Sequence, residues 1–201
     1  MFQELPDHVA RMALFKVNTG LREQEVCGLK WEHEVKVPEL DTSVFVIPGD
    51  RVKNGEERLV VLSRIAKSVV ESVRGLHPVY VFVRAHTKEC ETQPLAKIYN
   101  TAWKSARERA ANAWAEQHGE PAPEGLRTIR VHDLKHTFGR RLRAAGVSFE
   151  DRQDLLGHRS GRITTHYSQA ELASLIEAAE KVCDGESRKT PAITWLRRKT
   201  G

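Results

Sequence analysis

Cysteine is scarce in this chain: Cys27, Cys90 and Cys183 are the three among 201 residues, and no two of them form a Cys-x-x-Cys pair. An odd number of widely spaced thiols argues against a disulfide framework and against a structural zinc site. The sequence also lacks an apolar run as long as a membrane span, and Met-Phe-Gln-Glu-Leu-Pro lacks the basic and apolar regions of a signal peptide. We therefore expect a cytoplasmic protein with no membrane partner.

Positive charge is modest overall and concentrated in one segment. The formal net charge is +5, which favours a polyanionic partner without proving one. Residues 126–143 hold Arg127, Arg130, Lys135, Arg140, Arg141 and Arg143 against the single acid Asp133. A basic segment of this kind is suited to contact phosphates along a DNA duplex. The alternative interpretation is that these residues form a solvated helix face. We predict DNA contacts for Arg127, Arg130, Arg140, Arg141 and Arg159.

Hydrophobic periodicity predicts a mainly α-helical fold with a small antiparallel β-sheet in the first third of the chain. One helix ends near Gly20 and the next begins at Leu21 or Arg22. Side-chain caps at Ser63, Ser148 and Ser168 each predict a further helix start. A long helix is expected from Pro94 to Gly119, a helix from Asp133 to Gly146, and strands at 44–47 and 79–83.

Asn54-Gly55 is the strongest turn signal in the sequence. This dipeptide suits a two-residue type I′ turn, so we predict a hairpin of strands 50–53 and 56–61. Lys53 would then lie at the exposed tip. Such a lysine is either a solubility residue or a proton donor that reaches into a groove.

Four polar residues near the C-terminus suggest a chemistry. His132 and Lys135 lie in Val-His-Asp-Leu-Lys-His-Thr-Phe, His158 ends Leu-Leu-Gly-His, and Tyr167 closes Ile-Thr-Thr-His-Tyr. Imidazoles and an ammonium bind phosphate oxygens, and a phenol serves as a covalent nucleophile. With Arg22 in Thr-Gly-Leu-Arg-Glu-Gln-Glu, the pattern resembles the catalytic domain of tyrosine recombinases, the phage integrase family.

This resemblance implies the tyrosine recombinase catalytic-domain fold over residues 1–183. Tyr167 would attack a DNA phosphate and form a 3′-phosphotyrosyl bond without metal or cofactor. The resemblance implies that Arg22, His132, Lys135 and His158 stabilise the charge, while Lys53 protonates the leaving 5′-oxygen. Glu25 would either hold Arg22 or form a plain helix pair. We expect no N-terminal core-type DNA-binding domain, a basic mobile tail at 184–201, and a homotetramer on double-stranded DNA that docks the helix 172–182 into a neighbour.

Lys135 departs from the His-x-x-Arg pattern of the family. Lysine keeps the charge but loses the planar, bidentate contact of arginine, so reduced activity is expected and Lys135→Arg should raise the rate. Two alternatives remain: a catalytically impaired DNA-binding relative, and single-duplex relaxation as in type IB topoisomerases. A zinc-protease interpretation of His-Asp-Leu-Lys-His is disfavoured, because Asp is short for a base and a cation lies between the two histidines.

Overall fold

The structure, a computed structural model, describes residues 1–84, 94–158 and 167–183. It is mainly helical with one small sheet, as predicted. The helices are α1 (Asp7–Thr19), α2 (Glu23–Cys27), α3 (Arg64–Val73), α4 (Thr101–His118), α5 (Glu124–Thr128), α6 (Asp133–Ala144), α7 (Phe149–Leu156) and α8 (Gln169–Glu180). The strands are β1 (Glu34–Val37), β2 (Thr42–Ile47) and β3 (Arg58–Val60). Arg159, Cys90 and the predicted tail at 184–201 lie outside the described residues.

The sheet is antiparallel in the order β1-β2-β3, and the predicted Asn54-Gly55 hairpin is wrong. Ile47 pairs with Arg58, so residues 48–57 form one long connection between β2 and β3. Pro48 lacks a backbone N–H for the ladder, and a 3-10 turn at Gly49–Arg51 follows it. Gly55 has a φ of 75° but Asn54 does not have the positive φ that a type I′ turn requires.

The three helix starts predicted from serine caps are confirmed. Ser63 Oγ accepts from Ala66 N–H and Ser148 Oγ from Asp151 N–H. Ser168 and Glu171 form a reciprocal capping box at the start of α8. These interactions span three residues, so the local sequence is sufficient to define them.

Other expected elements differ from the structure. The long helix begins after its cap Asn100, which accepts from Trp103 N–H, and Pro94 lies in an isolated bridge with Val83. Residues 79–83 form only isolated bridges and not a strand. In the described ranges, no helix is both long and apolar enough to cross a bilayer.

Two apolar clusters form the core. The larger surrounds α1 and α3 and includes Phe15, Phe45, Phe82 and Trp103. In the second, α8 contributes Leu172, Leu175 and Ala179, which pack with Phe138 and Leu142 of α6. The apolar face of α8 is thus buried against α6 of the same chain, and docking of segment 172–182 into a neighbour stays a prediction.

Candidate active site

Arg22 lies where α1 turns into α2. Gly20 ends α1 with a φ of 65°, and a Cβ there would lie 2.7 Å from Cδ1 of Phe138. Only glycine fits this conformation and this close approach. The next two residues bring Arg22 to the N-cap of α2, where its backbone N–H donates to Glu25 Oε2 at 2.8 Å. Its guanidinium Nη1 donates to Glu25 Oε1 at 2.7 Å, so Glu25 holds both parts of Arg22.

Arg58 shares the carboxylate of Glu25. Its Nη1 donates to Glu25 Oε2 at 2.9 Å, and both side chains are almost fully buried, at 3% and 2% exposure. Its Nη2 donates to the carbonyls of Gly20 at 3.2 Å and Leu155 at 3.3 Å. A buried arginine therefore joins the Arg22 turn to the end of α7.

Lys135 reaches the same place from the first turn of α6. Its side chain is 6% exposed, and Nζ donates to the carbonyl of Leu156 at 2.5 Å. Burial, together with the positive charges of Arg58 and Arg22, lowers the pKa of Lys135 to about 7. Lys135 is therefore close to its titration point at neutral pH.

His158 follows the end of α7. Gly157 has a φ of 58°, its N–H donates to Asp154 O, and the N–H of His158 donates to Gln153 O, which together form a Schellman motif. Partial desolvation lowers the pKa of His158, and the charges of Lys135, Arg22 and Arg58 lower it further. The imidazole is therefore neutral at pH 7 and within electrostatic reach of these three cations.

His132 lies at the N-cap of α6 beside His136, with ring centroids 4.7 Å apart in an edge-to-face arrangement. Partial desolvation lowers the pKa of His132, with His136, Lys16 and Lys135 acting in the same direction. This imidazole is also neutral at pH 7. In the part of the chain that the structure describes, no group of three or more metal-ligating side chains is placed to bind a metal ion.

Lys53 and Tyr167 lie outside this cluster of cations. Lys53 is exposed, as expected, but it lies in a turn closed by the N–H of Gly55 and Val52 O within the connection between β2 and β3, and not at the tip of a hairpin. Tyr167 packs against the second core cluster. Desolvation raises the pKa of its phenol, and the carboxylates of Asp154 and Glu171 raise it further.

The arginines predicted to bind DNA fall into two groups. Arg127, Arg130 and Arg140 are exposed, and Arg130 pairs with Asp133 at 3.3 Å. Arg141 is half-buried and donates to the carbonyl of Val182, so it ties α6 to the turn that follows α8. Its guanidinium has a packing contact that the sequence did not reveal.

The sequence analysis missed two buried cations, Arg58 and Lys16. Lys16 is fully buried, its Nζ donates to the carbonyl of Leu21, and burial lowers its pKa to about 8. Each had a signal in the hydrophobic pattern. Arg58 lies two residues before the buried Val60, so both side chains are on the same face of β3. Lys16 lies on the apolar face of α1, one turn after Met12 and Ala13. A charge on a core face is informative because burying it requires partners.

Comparison with known proteins identifies a family. The sequence profile of the phage integrase family matches residues 3–173. The integrase of Salmonella phage P22 is 25% identical over 211 residues, covering 100% of this chain and 49% of that protein. Tyrosine recombinase XerC of Thermodesulfovibrio yellowstonii is 28% identical over 165 residues, covering 82% of this chain and 50% of its own length.

A solved structure shows the same fold. The Tn1549 transposon integrase, in complex with a circular intermediate DNA, superposes with a TM-score of 0.50 at 17% identity, over 84% of this chain and 57% of that chain. The chain spans about half the length of the curated relatives it matches. The family match covers most of the sequence, and the chain belongs to the phage integrase family.

Proposed function

We propose that this chain is the DNA-cleaving and rejoining part of a site-specific recombinase. The observation that carries the proposal is the convergence of Arg22, Lys135 and His158. These residues come from three distant segments, and their charges and imidazole meet beside the same buried arginine, Arg58. A cluster of cations and neutral imidazoles is suited to the charge that develops on a phosphate during attack.

The proposed reaction begins with the phenol of Tyr167. Its oxygen forms a bond to phosphorus and its proton passes to an imidazole, since both His132 and His158 are neutral at pH 7 and able to accept it. The bond from phosphorus to the 5′-oxygen breaks, and Lys53 donates a proton to the leaving oxygen. A 5′-hydroxyl from another duplex then reverses these steps. The phosphodiester energy is kept in the phosphotyrosyl bond, so no cofactor is required.

The raised pKa of Tyr167 supports a reaction that needs DNA in place. Burial, and after it the carboxylates of Asp154 and Glu171, disfavour the phenolate, so nothing in the free protein helps Tyr167 to ionise. We infer that the phosphate lies between Tyr167 and the cation cluster when DNA is bound. Only then would Arg22 and Lys135 favour the developing charge.

The DNA partner is supported by the exposed face of α6. Positions 132, 136 and 140 are four residues apart, so His132, His136 and Arg140 follow one side of the helix from the candidate site outward. All three are exposed, as are Arg127 and Arg130. We propose that this face contacts phosphates on double-stranded DNA in the cytoplasm, with four copies assembling around two duplexes.

A second candidate is a DNA-binding relative with little cleavage activity, which the lysine at position 135, in place of the arginine of the family pattern, favours. The names integrase and tyrosine recombinase, carried by the relatives, favour recombination over single-duplex relaxation.

One experiment separates these candidates. The chain is incubated with a library of duplexes that carry a randomised segment and a single nick, so that cleavage releases a short fragment and traps the covalent adduct.

Adducts that survive detergent would then be recovered and sequenced, and the selected sequence placed on two separate duplexes. A recombinase joins the cleaved strand to the second duplex. A relaxing enzyme reseals only its own duplex and removes supercoils from a plasmid that carries the sequence. Binding without any adduct would leave the impaired relative as the correct assignment.

A further inference from the structure

We infer that Arg58 is a positioning residue that fixes the Arg22 turn and the His158 turn relative to each other. Arg58 takes no direct part in the proposed cleavage, because its side chain is only 3% exposed and cannot reach DNA. Its importance lies in what its guanidinium contacts. The inference rests on the proposed function only where cleavage is the readout.

The first set of contacts is with the Arg22 turn. Arg58 Nη1 donates to Glu25 Oε2, and the same carboxylate holds the backbone and the guanidinium of Arg22. Arg58 Nη2 donates to the carbonyl of Gly20, two residues before Arg22. Both ends of the Arg22 turn are therefore attached to one planar group.

The second set is with the end of α7. Arg58 Nη2 donates to the carbonyl of Leu155, one of the last carbonyls of the helix, which have no partners inside it. A Cβ on Gly157 would lie 2.8 Å from Arg58 Cζ, so the guanidinium packs directly against the backbone that precedes His158. A positive charge at a helix C-terminus is also favoured by the helix dipole.

These contacts join segments far apart in sequence through a rigid fork. Lysine supplies one flexible ammonium, whereas arginine supplies a plane of donors that is fixed by its own covalent geometry. Removing Arg58 would leave the Glu25 carboxylate and two carbonyls partly unpaired in the core. The relative position of Arg22 and His158 would then depend on the weaker packing around them.

The charge of Arg58 gives a readout that does not depend on catalysis. Besides partial burial, the positive charges of Lys135, Arg22 and Arg58 lower the pKa of His158, and the ring of His136 acts in the same direction. The His158 ring titration is measured by NMR on the full chain, with its signal assigned by a His158→Gln variant. Arg58→Met should raise the pKa of His158, while Arg58→Lys should keep it low.

The rate of DNA cleavage should distinguish all three proteins: the unmodified chain, Arg58→Lys and Arg58→Met. At saturating DNA, Arg58→Met is expected to slow adduct formation on the order of 10²-fold, because a small misplacement of catalytic groups has a cost of that size. Arg58→Lys should still be slower than the unmodified chain by about tenfold, because one ammonium cannot hold Glu25, Gly20 and Leu155 together. DNA affinity should change less than about threefold in both variants, since the exposed cations are intact.

Arg74→Met is the matched control. Arg74 is also a guanidinium with two carboxylate partners, Glu34 and Glu71, but it is exposed and makes no contact with the Arg22 or His158 turn. Its removal should change neither the His158 titration nor the cleavage rate. Circular dichroism and thermal unfolding establish that each variant is folded before the other measurements.

The outcomes are distinct. An unchanged His158 titration in folded Arg58→Met, or a wild-type cleavage rate in Arg58→Lys, would overturn the inference, and equal effects in Arg74→Met would reduce it to general destabilisation. Should Arg58→Met not fold, the cleavage rate of Arg58→Lys decides. If the unmodified chain forms no adduct, the proposed function fails, and the His158 titration still tests Arg58.

Discussion

The ammonium of Lys135 donates to the carbonyl oxygen of Leu156 at 2.5 Å, which joins the first turn of α6 to the end of α7. This contact places a cation two residues before His158. It also gives Lys135 a structural partner in addition to any contact with phosphate. The lysine at position 135 therefore has a structural role in this chain. An arginine, the residue of the family pattern, need not support faster cleavage here.

The Lys135→Arg variant should cleave DNA no faster than the unmodified chain. Family resemblance alone predicts an increase, because arginine provides a bidentate donor. The structure leads to the opposite expectation, since Lys135 is 6% exposed and an arginine would need more space beside the cations Arg58 and Arg22. Single-turnover adduct formation decides, and a rise of tenfold or more would mean that the lysine impairs the enzyme.

The cleavage rate should fall as the pH rises through about 7, where Lys135 loses its proton. Burial and neighbouring positive charges lower the pKa values of His132 and His158, so both imidazoles lose their protons before Lys135 does and neither produces the fall. Arginine stays charged, so the rate of the unmodified chain relative to Lys135→Arg should decline between about pH 6.5 and pH 8.5. A constant ratio would show that the charge of Lys135 does not contribute.

Folding stability provides a check on the same ionisation. The folded pKa of Lys135 lies below its unfolded value, so between these two values the unfolded chain binds more protons. Stability should therefore rise with pH in this window. Thermal unfolding should show the unmodified chain gaining stability relative to Lys135→Met from about pH 7 to pH 9.

The structural features that could be predicted from the sequence are those that depend on residues close together in the chain. The caps at Ser63, Ser148 and Ser168 form within one helical turn, and each was found where expected. The Asn54-Gly55 hairpin failed because strand pairing is set by distant residues, here Ile47 with Arg58. Arg58 itself was missed for the same reason: its partners lie between 33 and 97 residues away in sequence.

The Lys53→Ala variant tests proton donation to the leaving group. Lys53 is exposed and lies in the turn before Gly55, outside the cation cluster, so its loss should leave the fold intact. Cleavage of an ordinary phosphodiester should slow by about 10²-fold. A substrate with sulfur in place of the leaving 5′-oxygen needs no proton and should be cleaved at the unmodified rate, whereas equal losses on both substrates would exclude this role.

The Arg140→Gln variant tests the proposed DNA-binding face of α6. Arg140 is exposed and follows His132 and His136 along one side of the helix. Losing one phosphate contact should reduce the slope of log affinity against log salt concentration by about 0.9. Arg74→Gln, on a distant ion pair, should leave the slope unchanged. Identical slopes in both variants would place the DNA elsewhere.

The most direct test of the account is covalent adduct formation by Tyr167→Phe, with Tyr80→Phe as the matched control. Tyr80 lies beside His77 and away from the cation cluster, so its hydroxyl has no part in the proposed reaction. On the nicked duplex, Tyr80→Phe should form detergent-resistant adducts at the unmodified rate. Tyr167→Phe should form none while binding the DNA with unchanged affinity, because only the attacking oxygen is removed. Adducts that persist in Tyr167→Phe would contradict the account and assign the nucleophile to another residue.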